Sequence, residues 1–214
     1  MDILDSSQKE RNVNRYRYLC DGLAAELMRP NYLMITKNKR NELIIKSLKL
    51  LKKAHIVITS KEAKNMETAD FGLGHSESTG LQLIVYLNTE RCCAKELILL
   101  PKQTCPQHKH PLVAGEPGKE QTLRCRWGSV YLYVEGRPTA KPKCKPPKDD
   151  VEYYTVRRQI ILNAGQQYTL APDTWHWFQA GADGAIVSEF STKSRDESDI
   201  FLDPRIRRQT VVVK

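Results

Sequence analysis

Two histidines separated by one residue, His108 and His110, are well suited by type and spacing to bind a metal ion. Side chains two positions apart on a β-strand point to the same face, so both imidazoles can reach one ion. Cys105-Pro106 precedes the pair and Pro111 follows it. These prolines favour an extended backbone, because the residue before a proline avoids the helical region. The pair therefore predicts half of a metal site on a strand.

A third imidazole and a carboxylate can complete this site. His176 follows Pro172 in a segment that can return as a strand beside the first one. Glu116 and Glu120 follow the histidine pair, and the glycines in this stretch allow the chain to turn back. A carboxylate would balance part of the charge of a divalent cation. The residues alone leave both acids open as the fourth ligand.

The elements that position these residues are mainly strands. A helix is predicted from Thr36 to about Lys53, with Thr36 as its cap, and a second short helix after Thr59-Ser60. After Asp70 the pattern is β throughout. The predicted strands cover 81–87, 96–100, 122–126, 129–134, 153–156, 159–162 and 167–170, followed by a hairpin of 175–179 and 185–190 over the turn at 181–184, with an exposed loop over 137–150. Many short strands of this kind indicate an all-β sandwich or barrel.

Length and composition place the chain among ordinary globular proteins. Its 214 residues suffice for one domain, predicted over residues 36–214, behind an N-terminal extension over residues 1–35. The net charge is +9, but no nucleic-acid-binding motif accompanies it, so no nucleic-acid partner is expected. The six cysteines form no CxxC pair, and neither a signal peptide nor a membrane span is predicted. We therefore expect a cytoplasmic protein without a membrane partner.

The site residues carry a family resemblance. The sequence resembles the two-part cupin signature, on His108, His110, Glu120, Gly128, Pro172 and His176. It is more closely similar to the D-lyxose isomerase family, over about residues 36–206. The segments that carry this likeness are Thr68–Gly72, Lys119-Glu120 before the Gly128 strand, Val187–Thr192 and the acidic run Asp196–Asp199. The acid stands further from the second histidine than in most cupins. Residues 112–118 therefore count as an insertion.

The resemblance implies a cupin-type β-barrel (a jelly roll) with an N-terminal helical extension. It favours Glu120 over Glu116 as the ligand beside His108, His110 and His176. It implies Mn²⁺, although these ligands would also accept Fe²⁺, Co²⁺, Ni²⁺ or Zn²⁺. The implied reaction converts a free aldose to a ketose through an enediolate, D-lyxose to D-xylulose and, as a second reaction, D-mannose to D-fructose. A homodimer is expected by analogy with other cupins.

Four further residues have expected roles in that reaction. Glu189 is the expected base, and burial beside apolar neighbours such as Val187 is expected to raise its pKa. Lys119 is expected to hold a sugar hydroxyl or to help move the second proton. Lys95, which matches a substrate-contact position of the family, and Asp199 are expected to bind the substrate.

Three other functions fit the same residues. A cupin dioxygenase would use Fe²⁺ and O₂ on the same ligands. A sugar-phosphate isomerase would need cations for the phosphate, for which Arg124 and Arg126 are candidates. A sugar-binding cupin without activity would keep the metal and lack turnover.

Overall fold

The structure, a computed structural model, describes residues 34–213, so nearly all of the predicted extension over residues 1–35 lies outside the described residues. Helix α1 (Lys37–Lys53) begins where the sequence predicts, because the Thr36 side chain accepts a hydrogen bond from the Lys39 backbone N–H at 3.1 Å. Helix α2 (Ser60–Asn65) begins with a capping box, in which the side chains of Thr59 and Glu62 each bind the other's backbone N–H.

Strands make up most of the remaining structure. They are β1 (Ile35–Thr36), β2 (Glu67–Ala69), β3 (Leu81–Asn88), β4 (Cys93–Leu99), β5 (Thr104–Lys109), β6 (Gln121–Val134), β7 (Arg158–Asn163), β8 (Gln167–Leu170), β9 (His176–Ser191), β10 (Ile200–Phe201) and β11 (Val212–Val213). Two 3₁₀ helices cover Lys148–Tyr153 and Asp196–Ser198. The histidine pair lies at the end of β5, and the third histidine opens β9.

The two longest strands, β6 and β9, pair antiparallel along nearly their whole length, from Gln121 opposite Ser191 to Val134 opposite His176. The first part of β9 also pairs with β5, and its later part pairs with β4. The first part of β6 pairs with β8 and its later part with β7. Both strands therefore take part in two groups of strands, β10-β5-β9-β6-β7 and β2-β3-β4-β9-β6-β8.

The long strands correct two predictions. The sequence predicts two strands split at Gly128 and a hairpin over residues 181–184, whereas β6 and β9 are continuous. Gly128 adopts a φ of +73°, and a Cβ there would lie 2.1 Å from the Gly184 carbonyl oxygen. The register shifts on both sides of Gly128, so this glycine marks a bulge that bends a strand and not a turn that ends one. The strand predicted over 153–156 is also wrong, because a 3₁₀ helix ends there at Tyr153.

The main apolar core lies inside the curled sheet. Strands from both groups contribute to it, among them Leu97, Leu123, Leu132 and Val187, all at most 4% exposed. Helix α1 packs on the outer face of the sheet, where Leu51 joins a second cluster with Ile98 and Ile186. The core fills one part of the interior, and the polar side chains described below occupy another part.

Among residues 34–213, no helix is both long and apolar enough to cross a membrane.

Candidate functional site

Three buried histidines converge inside the barrel. His108 and His176 are direct partners of the β5–β9 pairing, and His110 is the first residue after β5. Their ring centroids are 4.2 Å (His108 to His176), 5.0 Å (His108 to His110) and 5.3 Å (His110 to His176) apart. One nitrogen from each ring lies within 4.8 Å of the others. The predicted convergence of these three imidazoles is therefore present.

The other nitrogen of each ring fixes which one carries the proton. The Nδ1 atoms lie 2.8 Å from the Pro106 carbonyl oxygen (His108), 2.9 Å from the Thr174 carbonyl oxygen (His176) and 2.5 Å from Asp199 Oδ1 (His110). An oxygen of a carbonyl group or carboxylate accepts hydrogen bonds, so each Nδ1 donates and each Nε2 keeps a lone pair. Oxygen partners of this kind commonly orient histidine ligands in metal sites.

The rings are also held neutral. Burial lowers the pKa of His110 and of His176 to about 3 and that of His108 well below its usual value. The Nε2 atom of His110 is buried and has no hydrogen-bond partner within the described part of the chain. Three neutral, inward-facing nitrogen atoms, one of them without a partner, fit a divalent cation, which prefers neutral imidazole as a ligand.

The structure does not bring Glu120 to the histidines, which corrects the predicted ligand set. The Glu120 side chain is exposed, and the Glu120 backbone is bound on both sides to Thr192. Its neighbours Lys119 and Gln121 are buried, because side chains alternate along the chain where it enters β6. The residue that reaches His176 is Gln121, whose Nε2 lies 2.9 Å from His176 Nε2.

The close approach of Gly118 sets this alternation. A Cβ at Gly118 would lie 1.9 Å from the His110 carbonyl oxygen, so only glycine fits against the backbone that follows β5. The alternative acid, Glu116, also lies away from the histidines. It is exposed and forms an ion pair with Arg195. Neither acid that the sequence offers as a ligand is therefore part of the histidine cluster.

Glu189 and Lys119 form a buried pair beside the histidines. Lys119 Nζ lies 2.9 Å from Glu189 Oε1, and both side chains are 6% exposed. Burial by itself raises the pKa of Glu189, but the charges of Lys119 and Lys95 lower it more, so the pKa lies below its usual value. The expected raised pKa is therefore wrong, because the apolar surroundings also contain two cations. The pKa of Lys119 is raised: Glu189 and Asp196 outweigh the effect of its burial.

Lys95 lies opposite Glu189 in the β4–β9 pairing and belongs to a larger charged network. Its Nζ donates to Asp196 at 2.6 Å and to Ser194 at 2.8 Å. Asp196 also accepts from Arg208 at 2.8 Å. Although burial opposes it, the surrounding cations hold the pKa of Asp196 well below its usual range. Lys95, Asp196 and Arg208 line the same cavity as His108 and His110.

Asp199 lies in the cavity wall, but its contact is with a ligand candidate. Its Oδ1 accepts the hydrogen bond from His110 Nδ1 at 2.5 Å. Burial raises its pKa to about 7. Phe201, two residues later, stacks on the His108 ring with 5.3 Å between centroids and 26° between planes. The segment after β9 therefore holds two of the three imidazoles in place.

Three residues of the site escaped sequence reasoning: Gln121, Asp196 as an ion-pair partner, and Arg208. Glutamine is a rare choice as a metal ligand, and Arg208 lies far along the chain from the histidines, so no local pattern indicates either. The acidic run that contains Asp196 was the available signal. By contrast, Arg124 donates to Gln167 and Arg126 to Ser188, and neither lines the cavity. The candidate phosphate site on these arginines therefore has no support.

The chain matches known sugar isomerases over most of its length. The model of the family described as D-lyxose isomerase matches residues 55–213. The "D-lyxose/D-mannose isomerase" of Thermosediminibacter oceani is 62% identical over 175 residues, covering 82% of this chain and 97% of that protein. The "D-lyxose ketol-isomerase" of a Thermofilum species is 50% identical over 180 residues, covering 84% of this chain and all of that protein (100%).

Solved structures with the same architecture include two L-ribose isomerases. The enzyme of Acinetobacter sp. DL28 in complex with L-ribose has a TM-score of 0.69 at 16% identity, covering 86% of this chain and 100% of that chain. The enzyme of Cellulomonas parahominis with L-psicose has a TM-score of 0.68 at 16% identity, covering 84% and 99%. At this identity the likeness concerns the fold. Together with the strand arrangement, it confirms the predicted cupin-type β-barrel.

Proposed function

The chain belongs to the D-lyxose isomerase family, and from this premise we propose that it is a metal-dependent aldose–ketose isomerase that converts D-lyxose to D-xylulose and D-mannose to D-fructose. The observation that carries the proposal is that one nitrogen from each of three histidines lies within 4.8 Å of the others, and that two of these rings, His108 and His110, line the same cavity as Glu189, whose pKa is lowered. Aldose–ketose conversion needs both groups, an electrophile for two sugar oxygens and a base for one carbon-bound proton.

His108, His110 and His176 would hold the cation, and Mn²⁺ is our proposed ion, with Fe²⁺, Co²⁺, Ni²⁺ and Zn²⁺ as alternatives. When bound, the cation supplies Lewis-acid polarisation of the sugar carbonyl. The hydrogen bonds from the three Nδ1 atoms keep the rings aimed inward. Asp199 is therefore proposed to act first through His110, and its predicted contact with the substrate stays a prediction.

Glu189 is the proposed base. Its low pKa keeps it ionised at neutral pH, so it can accept the proton from C2 of the open-chain aldose and return it to C1. The proton of the C2 hydroxyl must move to O1 in the same conversion, so that the sugar changes only in the place of its hydrogens. Lys119, charged and bound to Glu189, is proposed to donate a hydrogen bond to the sugar oxygen at this stage.

Lys95 is proposed to contact the substrate, as the resemblance implies, and to contribute positive charge beside Glu189. Its contacts with Ser194 and Asp196 hold the ammonium group at the cavity wall. We also propose that the enzyme is a cytoplasmic homodimer. The exposed aromatic side chains of Tyr86 (44%) and Phe190 (49%) support a subunit contact. Light scattering of the purified protein would measure the oligomeric state.

The function is tested by elemental analysis of the purified protein followed by incubation with D-lyxose and D-mannose. We expect about one divalent ion per chain and formation of D-xylulose and D-fructose, both lost in the His176→Ala variant. Oxygen consumption without ketose formation would instead indicate the dioxygenase alternative. Metal and sugar binding without turnover would indicate the non-catalytic cupin.

A further inference from the structure

Gln121, which opens β6, reaches across the barrel to the histidines. Its side chain is buried, with the whole residue 2% exposed, and its Nε2 lies 2.9 Å from Nε2 of His176. The neighbouring His110 Nε2 has no hydrogen-bond partner among the described residues. Because the Nδ1 atoms of both rings donate to other oxygens, the amide faces the nitrogens that would bind an ion. Gln121 therefore occupies a fourth position beside the three imidazoles.

The Gln121 amide can face the histidines in two orientations. Its oxygen and nitrogen occupy nearly equivalent places, so rotation about the last side-chain bond exchanges them. With the nitrogen inward, the amide donates a hydrogen bond to His176. With the oxygen inward, it presents a lone pair to a cation. We infer that Oε1 of Gln121 is the fourth protein ligand of the metal, in the place that the cupin signature gives to a carboxylate.

This ligand changes the charge of the site. Three neutral imidazoles and an amide carry no charge, and within residues 34–213 the ligand cluster includes no acid. The nearby carboxylates are engaged elsewhere, Glu189 with Lys119, Asp196 with Lys95, and Asp199 with His110. The cation thus keeps its full charge. It binds more weakly than it would to a carboxylate, because affinity rises with the number of charged ligands.

The inference rests on the proposed function only for the presence of the cation. A different explanation of the same contact is that Gln121 merely positions His176. The two explanations separate on substitution by glutamate, which has the same size. A positioning amide replaced by Glu loses its donor to His176, so metal affinity stays equal or falls. A ligand replaced by Glu gains a negative charge, so metal affinity rises.

The test is Mn²⁺ titration of the metal-free full-length protein, followed by calorimetry and by the EPR signal of free Mn²⁺. For Gln121→Glu we expect binding tighter by about tenfold or more, and for Gln121→Leu weaker by at least about tenfold. The matched control is Glu120→Gln, the neighbouring exposed position, for which we expect unchanged affinity. Circular dichroism would verify that each variant is folded.

Unchanged or weaker Mn²⁺ binding by folded Gln121→Glu, with binding lost in His176→Ala, would overturn the inference and leave the proposed function intact. Reduced binding by Glu120→Gln would overturn it as well, in favour of the acid that the sequence suggests. If Gln121→Glu tightens Mn²⁺ binding but the unchanged, metal-loaded protein converts no sugar, the ligand assignment stands and the proposed function fails.

Discussion

Lys119 Nζ lies 2.9 Å from Oε1 of Glu189, and this buried ion pair lies beside three histidines that each bring one ring nitrogen within 4.8 Å of the others. Burial disfavours a lone carboxylate, and the lysine reverses that effect. The pair thus keeps the proposed base, Glu189, ionised although it is buried. Lys119 lies just before β6, and Glu189 lies on β9.

Removing the base should stop the reaction without emptying the metal site. For Glu189→Gln we expect turnover of D-lyxose to fall by about 10²- to 10⁴-fold, the usual contribution of a general base, with unchanged metal content. Chromatography of the ketose product and elemental analysis measure the two quantities. Glu90→Gln, on an exposed side chain, is the matched control and should keep full activity. Full activity of Glu189→Gln would exclude this residue as the base.

Breaking the Lys119–Glu189 pair from one side should destabilise the fold. Lys119→Met leaves the buried Glu189 carboxylate without its hydrogen-bonded cation, so the free energy of unfolding should fall by about 3 to 5 kcal/mol. The double variant Lys119→Met/Glu189→Gln should recover part of this loss. Urea denaturation of the metal-free proteins measures both. Lys193→Met, which breaks an exposed pair with Glu90, should change the free energy of unfolding by less than about 1 kcal/mol. A loss in the double variant equal to the sum of the losses in Lys119→Met and Glu189→Gln would show that the two side chains are not coupled.

The contact between Asp199 and His110 should matter for metal affinity. Asp199→Ala removes the acceptor that fixes the His110 ring, and loss of such partners typically weakens metal binding by about 10- to 100-fold. Asp199→Asn keeps an oxygen at the same place and should retain most of the affinity. Calorimetric titration with Mn²⁺ distinguishes these outcomes. Should both variants bind equally well, the aspartate would have no part in orienting the ligand.

Glu96, on the outer face of β4, should make stability depend on pH. It is buried and accepts hydrogen bonds from Ser188 and Tyr86, with Arg126 nearby. Burial raises its pKa above the usual 4.5, so the folded state holds the proton more tightly than the unfolded state. Below the pKa of the unfolded state, the carboxyl is protonated in both states, so folding carries no cost of burying a charged carboxylate. The penalty grows as the pH rises through the folded pKa.

Glu96→Gln should therefore raise the free energy of unfolding at neutral pH and lose this advantage in acid. Urea denaturation across a pH series measures the difference from the unchanged protein. The exposed Glu90→Gln variant should show no such gain. A constant difference for Glu96→Gln at all pH values would mean that the side chain does not titrate differently on folding.

Much of this architecture is readable from residue types. The HxH pair predicts its own strand, because alternation puts both rings on one face, and Thr36 predicts the start of α1. The errors lie where one residue decides the outcome. Gly128 resembles a turn in the sequence, whereas its neighbours pair on through a bulge. Tyr153-Tyr154-Thr155-Val156 has strand-forming residues, but Tyr153 is the last residue of a 3₁₀ helix, and the segment pairs with no strand within residues 34–213.

The position of Gln121 beside the histidines was not predicted, for a similar reason. Glu120 and Gln121 are adjacent, and a shift of one residue along a strand exchanges inward and outward side chains. The alternation depends on how Gly118 meets the His110 carbonyl, which is a tertiary contact. The pKa of Glu189 likewise depends on Lys95 and Lys119, which are distant in sequence. Neither relationship could be deduced from local patterns.

The pairing of β6 with β9 places Gln121 and His176 at opposite ends of one two-stranded ribbon, since Gln121 faces Ser191 and His176 faces Val134. A straight ribbon of that length would separate them by roughly 40 Å, yet their side chains touch. The ribbon must therefore coil back on itself before Gln121 can reach His176. An ion held between its two ends would cross-link the two ends of the ribbon. The melting temperature of the protein should therefore rise with the affinity for the ion.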